Sequence, residues 1–384
     1  MSKKYEDALK ILFEKADIGH LTIRLPSSEE LIFSGDIDGP QCDIVIHDWQ
    51  IMGMLTKRGD IGLGEAYHLG FWDSSDVPDF LTYCSLNLSS MKNKGQANFF
   101  NKIFFYLHNQ LVRANTLYGS KKNILEHYDI GNDFYQSWLD PTMTYSSAIK
   151  TSDKDSLMDA QLHKYQRIIN KINVQNKDIL EIGCGWGGFA EEAIVTGARV
   201  TGLTISNEQY DFAKKRLNGN AEILMKDYRT IKGTFDRIVS IEMFEAVGEK
   251  FWKTYFDQVK RLLKKNGQAM IQTITIDNKI FPEYRKKSDY IRHHVFPGGM
   301  LPSKEVFCSK ARASKLEVGE IFEFGKDYAW TLHKWRENFS AQKNKLLKNG
   351  YSESFLRSWE FYLSICIAGF NSNRTNVMQV EILN

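Results

Sequence analysis

The sequence predicts a doubly wound, Rossmann-like α/β domain preceded by a small α+β module. Three observations carry this expectation: strand-sized and helix-sized runs that alternate from residue 178 onward, a glycine-rich turn closing the first of those strands, and short alternating runs bounded by turns in the first hundred residues. In chain order, residues 1–17, MSKKYEDALKILFEKAD, read as a helix. Leu21 to Leu25 and Cys42 to His47 alternate around a turn-like GDIDGP at 35–40, and a second turn-rich segment, RGDIGLGEAYHLGFWDSSD, ends the module. Residues 99–112 place Phe100, Ile103, Phe104, Leu107 and Leu111 at helical spacing, with Phe99, Phe105 and Tyr106 widening the apolar face. The polar joint Gly119 to Lys122 sets the boundary, giving domains 1–118 and 119–384. Beyond it, strands are predicted at Asp178–Ile182, Arg199–Thr204, Ala221–Met225, Asp236–Ile241 and Gln268–Ile274, and helices at Gly187–Thr196, Asn207–Leu217 and Phe251–Leu263. Strict alternation implies a parallel sheet covered by helices on both faces.

Composition narrows the class. The 384 residues are 42% hydrophobic and 25% charged, with 7 Pro against 27 Gly, which excludes disorder as the main theme. No apolar run approaches the roughly 18 residues that cross a bilayer, and the N-terminal segment lacks the uncharged core of a signal peptide, so export is not expected. The five cysteines, Cys42, Cys84, Cys184, Cys308 and Cys366, stand far apart, giving neither a disulfide framework nor a metal site. The net charge is only +3, yet Phe80–Leu125 holds six cations (Lys92, Lys94, Lys102, Arg113, Lys121, Lys122) and no acid.

Residues 181–188, Glu-Ile-Gly-Cys-Gly-Trp-Gly-Gly, close a strand and open a helix. Gly183 and Gly185 let the backbone approach a ligand, and the helix N-terminus offers free N–H groups. A dinucleotide fingerprint would space its glycines G-x-G-x-x-G and place an acid about 20 residues on. Here the glycines run G-x-G-x-G-G and the second strand ends Gly-Leu-Thr-Ile-Ser, which disfavours NAD.

LEIGCGWGG, GLTIS with Gln209 beyond it, and HYDIGNDFYQSWLDPTMTYSSA at 127–148 together resemble the cyclopropane-fatty-acyl-phospholipid synthase family of S-adenosylmethionine-dependent methyltransferases. IEMFEAVG at 241–248, IRHHVFPGGMLPS at 291–303 and GEAYHLGFWD at 64–73 agree with it. The resemblance implies a class I methyltransferase domain behind a lipid-binding module. It places S-adenosyl-L-methionine against Tyr145, Ser146, Gly183, Gly185, Thr204, Gln209, Tyr228 and Ile241. Ser206 and Gln209 also form S-x-x-Q, a capping box that needs no ligand, whereas Thr204 ends a strand at the crevice where open α/β sheets bind ligands.

The family chemistry adds a carbon to an acyl-chain double bond and closes a ring by removing a proton. The resemblance implies a bicarbonate base gripped by a Cys, a Glu, a His and a Tyr. Glu245 and Tyr328 match two of those positions, but Ser147 stands for the Cys, Gln272 for the His, and Ala246 for the His of a usual Phe-Glu-His. A Gln side chain cannot titrate as His does. The catalytic candidates are therefore Glu245, Tyr328, Ser147 and Gln272, with cyclopropane, methyl-branched and furan-precursor products all open.

The basic aromatic window suits an anionic bilayer, or else a helix packed on the catalytic domain with its lysines in solvent. A second basic run, Arg285, Lys286, Lys287, Arg292, His293 and His294, is read either as a headgroup receptor or as a solvated loop. No nucleic-acid motif accompanies these charges. The expected partner is a membrane phospholipid with an unsaturated acyl chain, met by a cytoplasmic homodimer peripheral to the inner face of the membrane. Small-amine N-methylation and a non-catalytic lipid-binding scaffold are the competing functions.

Overall fold

The computed structural model of the chain describes residues 2–91 and 130–384. The basic aromatic segment from Lys92 to Lys122 and the joint at Gly119 lie outside the described residues. The first module opens with the helix Ser2–Phe13, followed by strands β1 (Ile18–Arg24), β2 (Glu30–Ser34) and β3 (Ile37–Ile46). After helices Gln50–Arg58 and Asp60–His68 come β4 (Trp72–Asp73) and the helix Val77–Leu86. The sheet order is β2-β1-β3-β4, with β1 parallel to β3. Alternation along β1 buries Leu21 and Ile23 beneath the last helix, which Asp76 caps by accepting from Asp79 N–H.

Two turn expectations are corrected. GDIDGP is mostly strand, because β3 starts at Ile37 and pairs there with Ile18; tertiary pairing outweighs the local turn chemistry. The glycine-rich segment after Arg58 is a helix from Asp60 to His68. Its Gly64 serves close packing, since a Cβ there would sit 2.4 Å from the Tyr290 ring and 2.7 Å from Phe361.

The second module is a seven-stranded sheet in the order β10-β11-β9-β8-β5-β6-β7. Here β5 is Asp178–Ile182, β6 Arg199–Thr204, β7 Glu222–Met225, β8 Phe235–Ile241, β9 Leu263–Ile276, β10 Glu317–Glu323 and β11 Thr375–Leu383. Strands β5 to β9 are parallel as expected. The sheet is not wholly parallel: β11 runs antiparallel to β9 and β10 antiparallel to β11, and neither was predicted. The chain enters β11 from a helical hairpin, Gly325–Lys348 and Glu353–Asn371. Because the chain leaves β5 towards β6 and later returns to β8, the crevice at the strand ends lies between β5 and β8.

The modules share one apolar cluster in which Tyr67, Trp72, Tyr290 and Phe361 are all buried. Arg357 bridges them, donating to Tyr67 O (2.6 Å), Trp72 O (3.0 Å) and Asp73 Oδ1 (2.8 Å), with its guanidinium 4.0 Å from the Tyr67 ring. Asp60 accepts from Tyr290 N–H, and His68 meets the Tyr290 hydroxyl at 2.5 Å. The second basic run makes ion pairs and hydrogen bonds at the protein surface, with Arg292 alone buried. Arg285 pairs with Glu249, Lys286 and Lys287 with Glu283, and buried Arg292 with Asp289. His293 meets Arg58, and His294 meets Glu65. Arg285, Lys286, Lys287 and His294 are exposed.

Candidate active site

A cavity of about 460 Å³ opens at the carboxyl ends of β5, β6, β8 and β9. Its cofactor end is built by the turn after β5. Gly183 (φ 83°) and Gly185 (φ 52°) adopt left-handed backbone, and a Cβ on Gly185 would meet nothing within 4 Å, so the turn presents bare backbone to open space. The helix Gly188–Val195 follows and aims its N-terminus at the same place. Tyr145, Ser146, Gly183, Gly185, Thr204, Gln209, Tyr228 and Ile241 all line this cavity.

The side chains show how the wall is held. Ser206 caps the helix Asn207–Leu217 by accepting from Gln209 N–H, but the Gln209 side chain does not return the bond. Its Oε1 accepts from Thr204 Oγ1 at 2.8 Å, so the expected capping box is half formed and the carboxamide belongs to the cavity wall. Tyr228 is buried edge-on against Tyr255. Ser146 accepts from Lys164 Nζ at 2.6 Å. Lys164 is wholly buried, and burial draws its ammonium down to about 7 while Glu242, Asp140 and Glu181 pull it up. Burial also pushes Glu181 up, and its Oε2 is buried with no partner. An unpaired carboxylate oxygen beside a glycine cradle fits the cationic groups of S-adenosylmethionine. The motif containing Glu181 was legible; the residue's place in the cavity wall was not.

Farther along, the expected catalytic residues come together around a residue that sequence reading left unassigned. Glu242 accepts from Ser147 N–H (2.8 Å) and Gln272 Nε2 (2.7 Å) on Oε1, and from the Tyr328 hydroxyl (2.5 Å) on Oε2. Both Glu242 and Tyr328 line the cavity. Ser147 and Gln272 do not: both are wholly buried and stand behind Glu242, and the Ser147 hydroxyl turns to Ala148 O. The anion they meet in the structure is the Glu242 carboxylate. The signal was the pair of acids in Ile-Glu-Met-Phe-Glu, of which the resemblance claims only the second.

That second acid, Glu245, also lines the cavity. Its Oε1 accepts from Ile274 N–H (2.5 Å) and Thr273 Oγ1 (3.0 Å), while Oε2 is buried without a partner. Burial, then the neighbouring Glu242 charge, push its carboxyl up to about 8. Glu242 is also raised by burial, while its three donors favour the ionised form.

A pH prediction follows. A carboxyl whose pKa rises from about 4.5 unfolded to about 8 folded holds a proton in the native state that the unfolded chain has released, so stability declines as pH rises between those values. Thermal melts should show a falling Tm across that window, and Glu245→Gln, which keeps the acceptor oxygen and cannot ionise, should flatten the fall. Equal slopes in both proteins would place the proton elsewhere.

This fold, with its glycine cradle at the strand ends, defines an S-adenosylmethionine-dependent methyltransferase. Residues 116–380 match the family model described as mycolic acid cyclopropane synthetase, and the chain belongs to that family. It is 34% identical over 349 residues, 88% of this chain and 87% of the relative, to the cyclopropane-fatty-acyl-phospholipid synthase of Escherichia coli K12. It is 31% identical, over 95% of this chain and 88% of the relative, to the tuberculostearic acid methyltransferase UfaA1 of Mycobacterium tuberculosis. Among solved structures it resembles mycolic acid cyclopropane synthase CmaA1 complexed with SAH and CTAB, at 29% identity and a TM-score of 0.65, covering 69% of this chain and 98% of that one.

Proposed function

We propose that the protein moves a one-carbon unit from S-adenosylmethionine to the double bond of an unsaturated acyl chain in a membrane phospholipid. The observation that carries this reading is the continuity of the cavity. The same cavity that holds the cofactor turn is lined by the half-buried Glu242 and Glu245, the buried Tyr328 and the apolar Phe296, Leu332, Ile365 and Phe370. S-adenosylmethionine supplies an electrophilic methyl group. The chain's own part begins with position and dryness, because an alkene is a weak nucleophile that reacts only when held in line in a water-poor site. Attack leaves positive charge on the acyl chain. The rings of Tyr328 and Phe370, 4.5 Å apart, lie along the cavity and can face that charge. A small amine would need no such apolar lining and no second module. The test is transfer of label from methyl-labelled S-adenosylmethionine to phospholipid acyl chains.

The first module completes the reading. Asp60 lines the cavity together with Asp289 and Arg292, so this module contributes directly to the wall. We assign membrane docking to it and to the basic segment that follows, in a homodimer peripheral to the cytoplasmic face. No helix among the described residues is long and apolar enough to cross a membrane. Replacing Lys92, Lys94, Lys102 and Arg113 by Gln should weaken sedimentation with anionic vesicles and flatten its salt dependence. Unchanged sedimentation would favour a helix packed on the catalytic domain.

A further inference from the structure

Resting on that function, we propose that the Glu242 carboxylate is the enzyme's own base and takes the place of the bicarbonate ion that the family resemblance implies. The donors say so first. Ser147, Gln272 and Tyr328 occupy three of the four positions at which the resemblance grips bicarbonate, and all three bond to Glu242 instead. A separate anion would find those donors taken and a carboxylate already among them.

The grip is specific. Gln272 can offer Glu242 only its amide N–H, because its Oε1 accepts from Gln379 Nε2 at 3.0 Å and Gln379 Oε1 in turn accepts from Arg167 Nη1 at 2.6 Å. That chain of bonds fixes the amide and leans positive charge toward the carboxylate. The backbone agrees. Glu242 has φ 49°, a left-handed conformation uncommon for a residue with a Cβ, and its N–H is bonded to Gln272 O. Strain of this kind at a cavity wall marks a side chain held there for use. The departures at Ser147 and Gln272 then have one explanation: neither needs to ionise or move a proton, because the base is a residue of the chain.

The chemistry balances without another reactant. The alkene π pair forms the new C–C bond as the methyl C–S bond breaks, and sulfur leaves as a neutral thioether. Glu242 takes one proton, either from the added methyl, whose freed C–H pair closes a three-membered ring onto the cationic carbon, or from a carbon adjoining the cation, whose freed pair forms a new C=C bond. The products are S-adenosylhomocysteine, a lipid longer by one carbon and a proton on Glu242, which passes to solvent.

The experiment compares the native protein with Glu242→Gly and Glu242→Gln in carbonate-free buffer, then with added bicarbonate. Glycine suits φ 49° and vacates the donors, whereas Gln keeps the space filled. Native turnover should change less than about twofold on adding bicarbonate, while both variants should lose about 100-fold, the range of a positioned general base. Bicarbonate should restore at least about tenfold to Glu242→Gly and nothing to Glu242→Gln. Binding of ¹³C-bicarbonate, followed by NMR, gives a readout independent of turnover: uptake is expected in Glu242→Gly alone. Calorimetry with S-adenosylhomocysteine checks that all three proteins keep the cofactor site. Bicarbonate uptake by the native protein, bicarbonate-dependent native turnover, or a correctly folded Glu242→Gly that neither binds bicarbonate nor is rescued would overturn the proposal. If the native protein methylates no lipid, the function fails on that result, and the NMR comparison still decides what occupies the base site.

Discussion

Gly185→Val is expected to lower affinity for S-adenosylhomocysteine at least about 100-fold, a loss of about 2.7 kcal/mol. Two effects add. Left-handed backbone costs an L-residue about 1–2 kcal/mol, and more for a β-branched one. The valine methyls would also enter the open space where the turn after β5 faces the cavity, since a Cβ at Gly185 meets no protein atom within 4 Å. The same openness spares the fold, so circular dichroism and the melting profile should stay close to native. Calorimetry decides the matter, and affinity kept within about fivefold would move the cofactor away from this turn.

The other large effect is expected from Gly64→Ala. The added methyl would lie 2.4 Å from the Tyr290 ring and 2.7 Å from Phe361, both held in the shared cluster. Overpacking of this kind costs about 1–3 kcal/mol, and relief requires the helix Asp60–His68 to withdraw. Asp60 would then leave the cavity wall, and its bond to Tyr290 would break. The cofactor turn lies in the other module. Methyl transfer to lipid should therefore fall by tenfold or more, about 1.4 kcal/mol or more in the barrier, while S-adenosylhomocysteine binding stays unchanged. A parallel loss of both would show that the variant unfolds the whole protein; a loss of neither would show that the first module does not shape the lipid end.

Local pattern and tertiary pairing divide what the sequence made legible. Strands β5 to β9 and the glycine turn were readable because a parallel core strand is a short apolar run bounded by turns. The helix Asp60–His68 was hidden by its glycines, of which Gly62 packs on the Met54 backbone and Gly64 on Tyr290 and Phe361, distant in sequence. Strands β10 and β11 escaped because a long helical hairpin, Gly325–Lys348 and Glu353–Asn371, breaks the β-α alternation before the chain turns back along β9. At the site, the residues that the resemblance names for the cofactor all line one cavity, several of them, such as Thr204 and Ile241, at strand ends. Glu242 was missed because its role depends on a left-handed backbone and on donors from three distant segments, ending at Ser147, Gln272 and Tyr328. The odd Ser and Gln were visible, but the carboxylate that explains them was visible only in three dimensions.

The most direct measurement of the central claim uses purified protein, S-adenosylmethionine carrying a trideuterated methyl, and vesicles of a phospholipid with one unsaturated and one saturated chain. Mass spectrometry of the released fatty acids reads the acceptor, and the number of deuterons retained reads where the proton came from. Two retained deuterons mean a proton lost from the transferred carbon, and three mean loss from the acyl chain itself. The account predicts deuterium in the unsaturated chain alone, with formation of S-adenosylhomocysteine in equal amount. Label in the headgroup, in a water-soluble amine or in no lipid at all, while S-adenosylhomocysteine still binds, would contradict it.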